Sequence, residues 1–165
     1  MLERVDGKYV HKRDPRNVLL AYVRRRSGEA DCFEAEMVHD VEHPFFFEHP
    51  LDHIPAMMLV EAGRQLGIAV SHLFLDVPFD RLFATRAFDI HFCDFAELHT
   101  PVLIVAKVTD REYRRGELLN LRLDGHFFQE GRELGGMGGK WSMLQPAVWR
   151  RYRRRERARL GVVSG

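Results

Sequence analysis

The stretch His43–Leu75 constrains the chain most, because two segments of opposite character meet in it at Pro55. Its first thirteen residues, H-P-F-F-F-E-H-P-L-D-H-I-P, hold three histidines and three prolines. Proline removes a backbone donor and clashes with the preceding turn of a helix, so this half is a loop. The second half reads as a helix. Pro55 suits a first helical turn, where its missing N–H has no partner to lose. Beyond it, Met57, Met58, Leu59, Val60, Leu66, Ile68, Val70, Leu73, Phe74 and Leu75 fall on almost every side, the pattern of a helix buried all round. At 1.5 Å per residue it would be about 30 Å long, the width of a small domain. Glu61, Arg64, Gln65 and His72 exclude a membrane span, since each is expensive in hydrocarbon.

At about 100° per residue those four polar residues share roughly a third of the helix circumference. Two readings follow. Glu61 and Arg64, at i and i+3, form a satisfied pair that lets the helix face a polar layer. Alternatively, Glu61 sits at the edge of an apolar pocket, where desolvation adjusts its pKa for acid–base chemistry.

The run H-P-F-F-F-E-H-P-L-D-H-I-P-A-M-M-L-V-E-A-G-R-Q resembles the signature of the A-factor biosynthesis hotdog family, proteins linked to γ-butyrolactone autoregulators. More distantly it resembles the P-F-F…H…P-G…E-A…Q segment of the β-hydroxyacyl-acyl-carrier-protein dehydratases, another hotdog family. The close match runs from His43 to about Val70, with weaker echoes at Val10-His11-Lys12 and Asn17-Val18-Leu19-Leu20. The dehydratase resemblance implies a catalytic pair, His49 and Glu61. Here the His-to-Pro spacing is shorter than in that pattern, and Ala56 stands where it has glycine. The A-factor resemblance implies acyl transfer from a β-ketoacyl carrier protein to the hydroxyl of dihydroxyacetone phosphate. It also implies chains with two hotdog repeats, whereas this one has room for one.

On that resemblance the substrate is a fatty acyl thioester of acyl carrier protein or coenzyme A, with no cofactor. The acyl chain lies beside Phe46, Met57 and Met58, and His53 and Gln65 also contact substrate. Backbone N–H groups at the helix start polarise the thioester carbonyl. Arg64 binds a phosphate or orients Glu61. Glu61 or His49 deprotonates the acceptor hydroxyl, or the two act as the acid–base pair of a dehydratase. Outside catalysis, the same pocket could simply hold an acyl or butyrolactone ligand.

With 165 residues, 45% hydrophobic and 30% charged, the chain is expected to form one globular domain over 1–148 and a basic tail over 149–165. A net charge of +1 gives no global pull toward nucleic acid or membrane. No apolar signal segment follows the first basic residues, and Cys32 and Cys93 are isolated, so reduced, buried thiols in a cytoplasmic protein are expected.

Lys8–His11 reads as strand-like, Asp14–Asn17 as a turn, and Val18–Val23 as strand or helix; Arg24–Gly28 reads as a solvated turn. Cys32–His39, Arg86–Phe95, Pro101–Thr109 and Leu118–Phe128 carry strand patterns, with turns at Asp76–Asp80, Arg114–Gly116 and Glu130–Arg132. Gly135–Lys140 lacks phosphate-loop spacing and instead begins a final strand whose small residues admit the helix closely. Strands, one long buried helix, then antiparallel strands make an α+β pattern, and a sheet wrapped around one helix is the hotdog architecture. A single repeat leaves a sheet edge, which predicts a homodimer placing His49 of one subunit near Glu61 of the other.

The tail from Trp149 to Arg159 holds seven arginines and one glutamate. It reads as a solvated helix or disordered tail, or as a dock for an acidic partner such as a carrier protein; without a base-reading module, nucleic acid is the weaker partner. His39/His43 and His49/His53 are spaced four apart, but Pro44 and Pro50 interrupt any helix that could present them to a metal, so no metal site is expected.

Overall fold

The structure, a computed structural model, describes residues 3–161, so the tail 149–165 is covered only to residue 161. Six antiparallel strands form one sheet: β1 Leu20–Arg25, β2 Cys32–Met37, β3 Leu82–Phe92, β4 Val102–Arg114, β5 Glu117–Gln129 and β6 Arg132–Leu144. Their order across the sheet is β1-β2-β4-β5-β6-β3. Helix α1, Ala56–Phe74, carries the chain from β2 across the concave face to β3 at the far edge. The expected α+β hotdog arrangement is present.

Alternation builds the core. Phe33, Ala106, Gly125 and Met137 lie in one cross-strand row from β2 to β6, with Ala35, Ile104, Phe127 and Gly135 in the next. The inward side chains of these rows close over Met58, Leu59, Ala62, Leu66, Ala69 and Val70 of α1. The β4–β5 and β5–β6 hairpins turn in two residues each, Arg115-Gly116 and Glu130-Gly131, all four with positive φ between 50° and 82°. This left-handed pair matches the twist of adjoining strands, and glycine enters it without a Cβ clash.

Close approach of helix and sheet is achieved in the opposite sense to that expected. Small residues on α1, not the glycines of β6, make the room: a Cβ on Gly63 would meet the Met137 sulfur, and one on Gly67 would lie 2.3 Å from the Trp141 ring, whereas the nearest neighbours of a Cβ on Gly135, Gly136, Gly138 or Gly139 belong to strands. The helix is also not buried all round, because Met57 in its first turn is 63% exposed.

Further local expectations are revised. Gly7–Val10 is a 3-10 turn, since the Asp6 carboxylate caps it by accepting from the Lys8 N–H and ends the extended option. Arg24 and Arg25 belong to β1, where Arg24 pairs with Glu34 across the strands, so the solvated turn begins after them. Cys32 is buried, but Cys93 is exposed, because β3 ends one residue earlier at the open edge. That strand is exposed along its length: Phe88, Ile90 and Phe92 are 41, 36 and 42% accessible. The tail forms a helix, α2 Pro146–Arg159, with no buried residue. No helix among the described residues is long and apolar enough to cross a membrane.

Candidate functional site

The polar stripe of α1 is a seam for the N-terminal segment. Gln65, fully buried, accepts the Leu19 N–H on Oε1 at 2.9 Å, and its Nε2 donates to the Asn17 carbonyl at 2.7 Å and to Glu61 Oε1 at 3.0 Å. Lys12 Nζ lies 2.9 Å from Glu61 Oε1. Arg64 closes a two-pronged pair, Nε to Oε2 at 2.7 Å and Nη2 to Oε1 at 2.8 Å. The helical i,i+3 spacing and the reach of residues 12–19 therefore converge three donor groups on one carboxylate.

That convergence decides the charge state of Glu61. Burial alone would raise its pKa, but hydrogen bonds from Arg64, Gln65 and Lys12, with the Arg64 charge, lower it to about 2. Glu61 is thus a fully ionised carboxylate at neutral pH, with three partners crowded on Oε1 and one on Oε2.

Asn17 links this cluster to the histidine loop. His43, buried, accepts the Phe45 and Phe46 N–H groups at Nδ1, so its proton sits on Nε2 and is donated to Asn17 Oδ1 at 3.0 Å. Lys12, Asn17, His43, Phe45, Phe46, Met57, Val60 and Glu61 line a cavity of about 290 Å³. One wall is therefore aromatic and aliphatic, and the opposite rim is charged.

Of the residues singled out in the sequence, Glu61, Phe46 and Met57 line this cavity, while Arg64 and Gln65 meet Glu61 behind its rim. Met58 is fully buried in the core rather than beside the cavity. His53 borders a second cavity of about 340 Å³ with Leu59, Phe92, Cys93 and Phe95; its Nδ1 contacts Asp52 at 2.7 Å. His49 is exposed on the loop and lines neither cavity. Lys12, Asn17 and His43 were not singled out as site residues. The signals for the first two were the family echoes at Val10–Lys12 and Asn17–Leu20, and the buried polar stripe itself, which needed partners from outside the helix. Among the described residues no group of three or more His, Cys, Asp or Glu is arranged to hold a metal ion.

Farther along the seam His72 donates from Nδ1 to the Val77 carbonyl at 2.7 Å, leaving Nε2 to face His11 Nε2 at 2.8 Å. Burial lowers both histidine pKa values, and for His11 the charges of His72 and Arg64 add to it. These histidines and Glu61 bind protons less readily folded than unfolded. Stability is therefore full above about pH 6.5, falls as the histidines charge, and falls again between 4.5 and about 2 as Glu61 protonates. Urea midpoints at pH 7.5 and 5.5 should differ, with the lower at 5.5; equal midpoints would remove the histidine pair from this account.

A family model for the A-factor biosynthesis hotdog domain matches residues 1–145. Two curated relatives, each a 2-oxo-3-(phosphooxy)propyl 3-oxoalkanoate synthase, are similar in sequence. The Streptomyces virginiae protein is 35% identical over 68 residues, 41% of this chain and 21% of that protein. The Streptomyces coelicolor protein is 36% identical over 87 residues, 53% of this chain and 25% of that one. The chain thus aligns with only about a fifth to a quarter of each relative's length. In fold it is similar to a hot-dog-like protein from Thermanaerovibrio acidaminovorans (TM-score 0.58, 12% identity, 76% of this chain and 89% of that one). It is also similar to a thioesterase from Pseudomonas aeruginosa (TM-score 0.52, 14% identity, 74% and 81%).

Proposed function

Since the chain belongs to the A-factor biosynthesis hotdog family, we propose that it transfers an acyl group from a carrier-protein or coenzyme A thioester to the hydroxyl of a small phosphorylated acceptor. The observation that carries this reading is the cavity with an apolar wall, Phe45, Phe46, Met57 and Val60, facing a rim of Lys12 and the Glu61 carboxylate, with Arg64 paired to Glu61 behind it. The apolar wall suits an acyl chain and the cations suit a phosphate. The names of the two Streptomyces relatives describe a product of this kind, a phosphorylated 3-oxoacyl ester.

In the resting site Glu61 is a poor base, because its pKa is near 2. A phosphate arriving at Lys12 and Arg64 would compete for both cations and return lone pairs to Glu61. The carboxylate would then take the acceptor's hydroxyl proton as the new acyl–oxygen bond forms, the acyl–sulfur bond breaks, and the proton passes to the departing thiolate. First-turn N–H groups of α1, which lacks a side-chain cap, would stabilise the carbonyl oxygen. Asn17 and His43 position the rim rather than react, since both ring nitrogens of His43 are already engaged.

The test is intact-mass spectrometry of a β-ketoacyl carrier protein incubated with this protein, with and without dihydroxyacetone phosphate. Loss of the acyl mass only with the acceptor is expected. Loss of one water from a β-hydroxyacyl carrier would make the protein a dehydratase instead. No change, from folded protein that retains an acyl ligand, would make it a binder; the two cations and the Gln65 amide already held by Glu61 favour this second reading.

The reading includes a homodimer. Strand β3 presents an unpaired edge, and its Phe88, Ile90 and Phe92 extend the concave face beyond the reach of α1. A second copy would cover them and bring its own His49 loop toward the site. Light scattering at micromolar protein should give a dimer, and Ile90→Asp a folded monomer. A wild-type monomer would count directly against it.

A further inference from the structure

Across the sheet, cations are held by neighbouring carboxylates: Arg24 by Glu34, Arg81 by Asp80 and Glu117, Arg122 by Asp89 and Asp124, Lys140 by Asp110. Helix α2 breaks this pattern. It carries seven arginines and one glutamate with no residue buried, and among the described residues only Arg159 reaches a carboxylate, Glu156 at 3.6 Å. The helix therefore holds +6, and the rest of the chain −5, within a total of +1. Arg150/Arg154, Arg151/Arg155, Arg153/Arg157 and Arg155/Arg159 repeat like charge at i,i+4. Each such pair disfavours the helix, with no return inside the fold.

Beside the start of α2 runs a groove of about 380 Å³, between the β4–β5 turn and the end of β6. Leu118, Leu119, Met143, Leu144 and Val148 line it, and Arg114 and Arg115 stand at its rim. Basic helix and apolar groove thus form one continuous surface.

We propose that this surface docks an acidic protein through an amphipathic helix, its apolar side in the groove and its carboxylates on α2, Arg114 and Arg115. The proposal rests on the thioester reading above, in which the acyl donor arrives on a carrier protein. Nucleic acid would satisfy the arginines but has no apolar face for the groove. A membrane needs one wide apolar face, whereas at 100° per residue the arginines occupy about two-thirds of the circumference of α2, and Glu156 divides the remainder. The groove lies at the Phe74 end of α1, since its Glu117 and Leu118 also border a pocket containing Phe74 and Leu75. It is therefore about 20 Å along the helix from Glu61. The docked protein stays clear of the cavity and presents its acyl group on a flexible arm.

The test is fluorescence anisotropy of three probes against the full chain: a β-ketoacyl carrier protein, poly(U) RNA, and phosphatidylglycerol vesicles. The carrier should bind, in a salt-dependent way, and the double variants Arg114→Glu/Arg115→Glu and Arg151→Glu/Arg155→Glu should each weaken it roughly tenfold or more. Both variants should consume a coenzyme A thioester at the wild-type rate, which separates docking from chemistry. Carrier binding unchanged by the reversals overturns the proposal, as does binding of RNA or vesicles in its place. Should the coenzyme A thioester fail to react while the carrier still binds through these arginines, the reaction is wrong and the dock stands.

Discussion

Glu61→Gln should leave the protein folded while lowering acyl transfer by at least about a hundredfold. Glutamine keeps an oxygen that can accept from Arg64 and Gln65, but it cannot take the acceptor's proton and offers no charge to Lys12. The stability loss should be about 1–2 kcal/mol, less than the full pKa displacement implies, because 21% of the Glu61 side chain is open to water. The companion variant Lys12→Met separates roles: if Lys12 receives the phosphate, it should raise KM for the phosphorylated acceptor with a smaller effect on kcat. Transfer by Glu61→Gln at more than a tenth of the wild-type rate would remove Glu61 as the base.

Gly67→Ala should cost about 2–3 kcal/mol, and Gly63→Ala less than about 1, although the two glycines lie one turn apart on the same helix. At Gly67 the new methyl would lie 2.3 Å from the rigid Trp141 ring, which is itself packed over Gly139. At Gly63 it would meet the Met137 thioether, whose torsions can carry it aside, and alanine's better helix propensity offsets part of the loss. Both variants should unfold in one transition, so a difference in urea midpoint reads the contrast directly. Equal costs would mean that Trp141 shifts as freely as Met137, and that the helix is not seated by that ring.

The fold was legible where periodicity and turn chemistry agree. The start of α1 at Pro55, the alternation in β2, β4 and β5, and the two glycine turns follow from local rules. What was not legible depends on partners distant in sequence. Lys8–His11 has the residues of a strand, but the Asp6 cap and the pull of the α1 stripe make it a 3-10 turn. Met57 and Met58 are alike in chemistry but about 100° apart around α1, and only the docking of the helix on the sheet decides that Met58 is core and Met57 open. The three loop histidines are likewise alike until Asn17, two elements earlier, selects His43. The Glu61–Arg64 pair was readable from spacing, yet its second cation, Lys12, was not, so a poised base could not be told from a locked carboxylate.

The seam between α1 and residues 11–19 also imposes a schedule on synthesis. Its hydrogen bonds join positions 46 and 61 residues apart, and the earlier partner in each leaves the ribosome first. At roughly 5–20 residues per second, His11, Asn17 and Leu19 wait several seconds before Gln65 and His72 exist. During that interval the segment has no polar stripe to settle on, and α1 brings that stripe only when it emerges. Closure of so long a loop should come late in folding, after the hairpins of β4, β5 and β6 have formed a sheet for the helix to lie on.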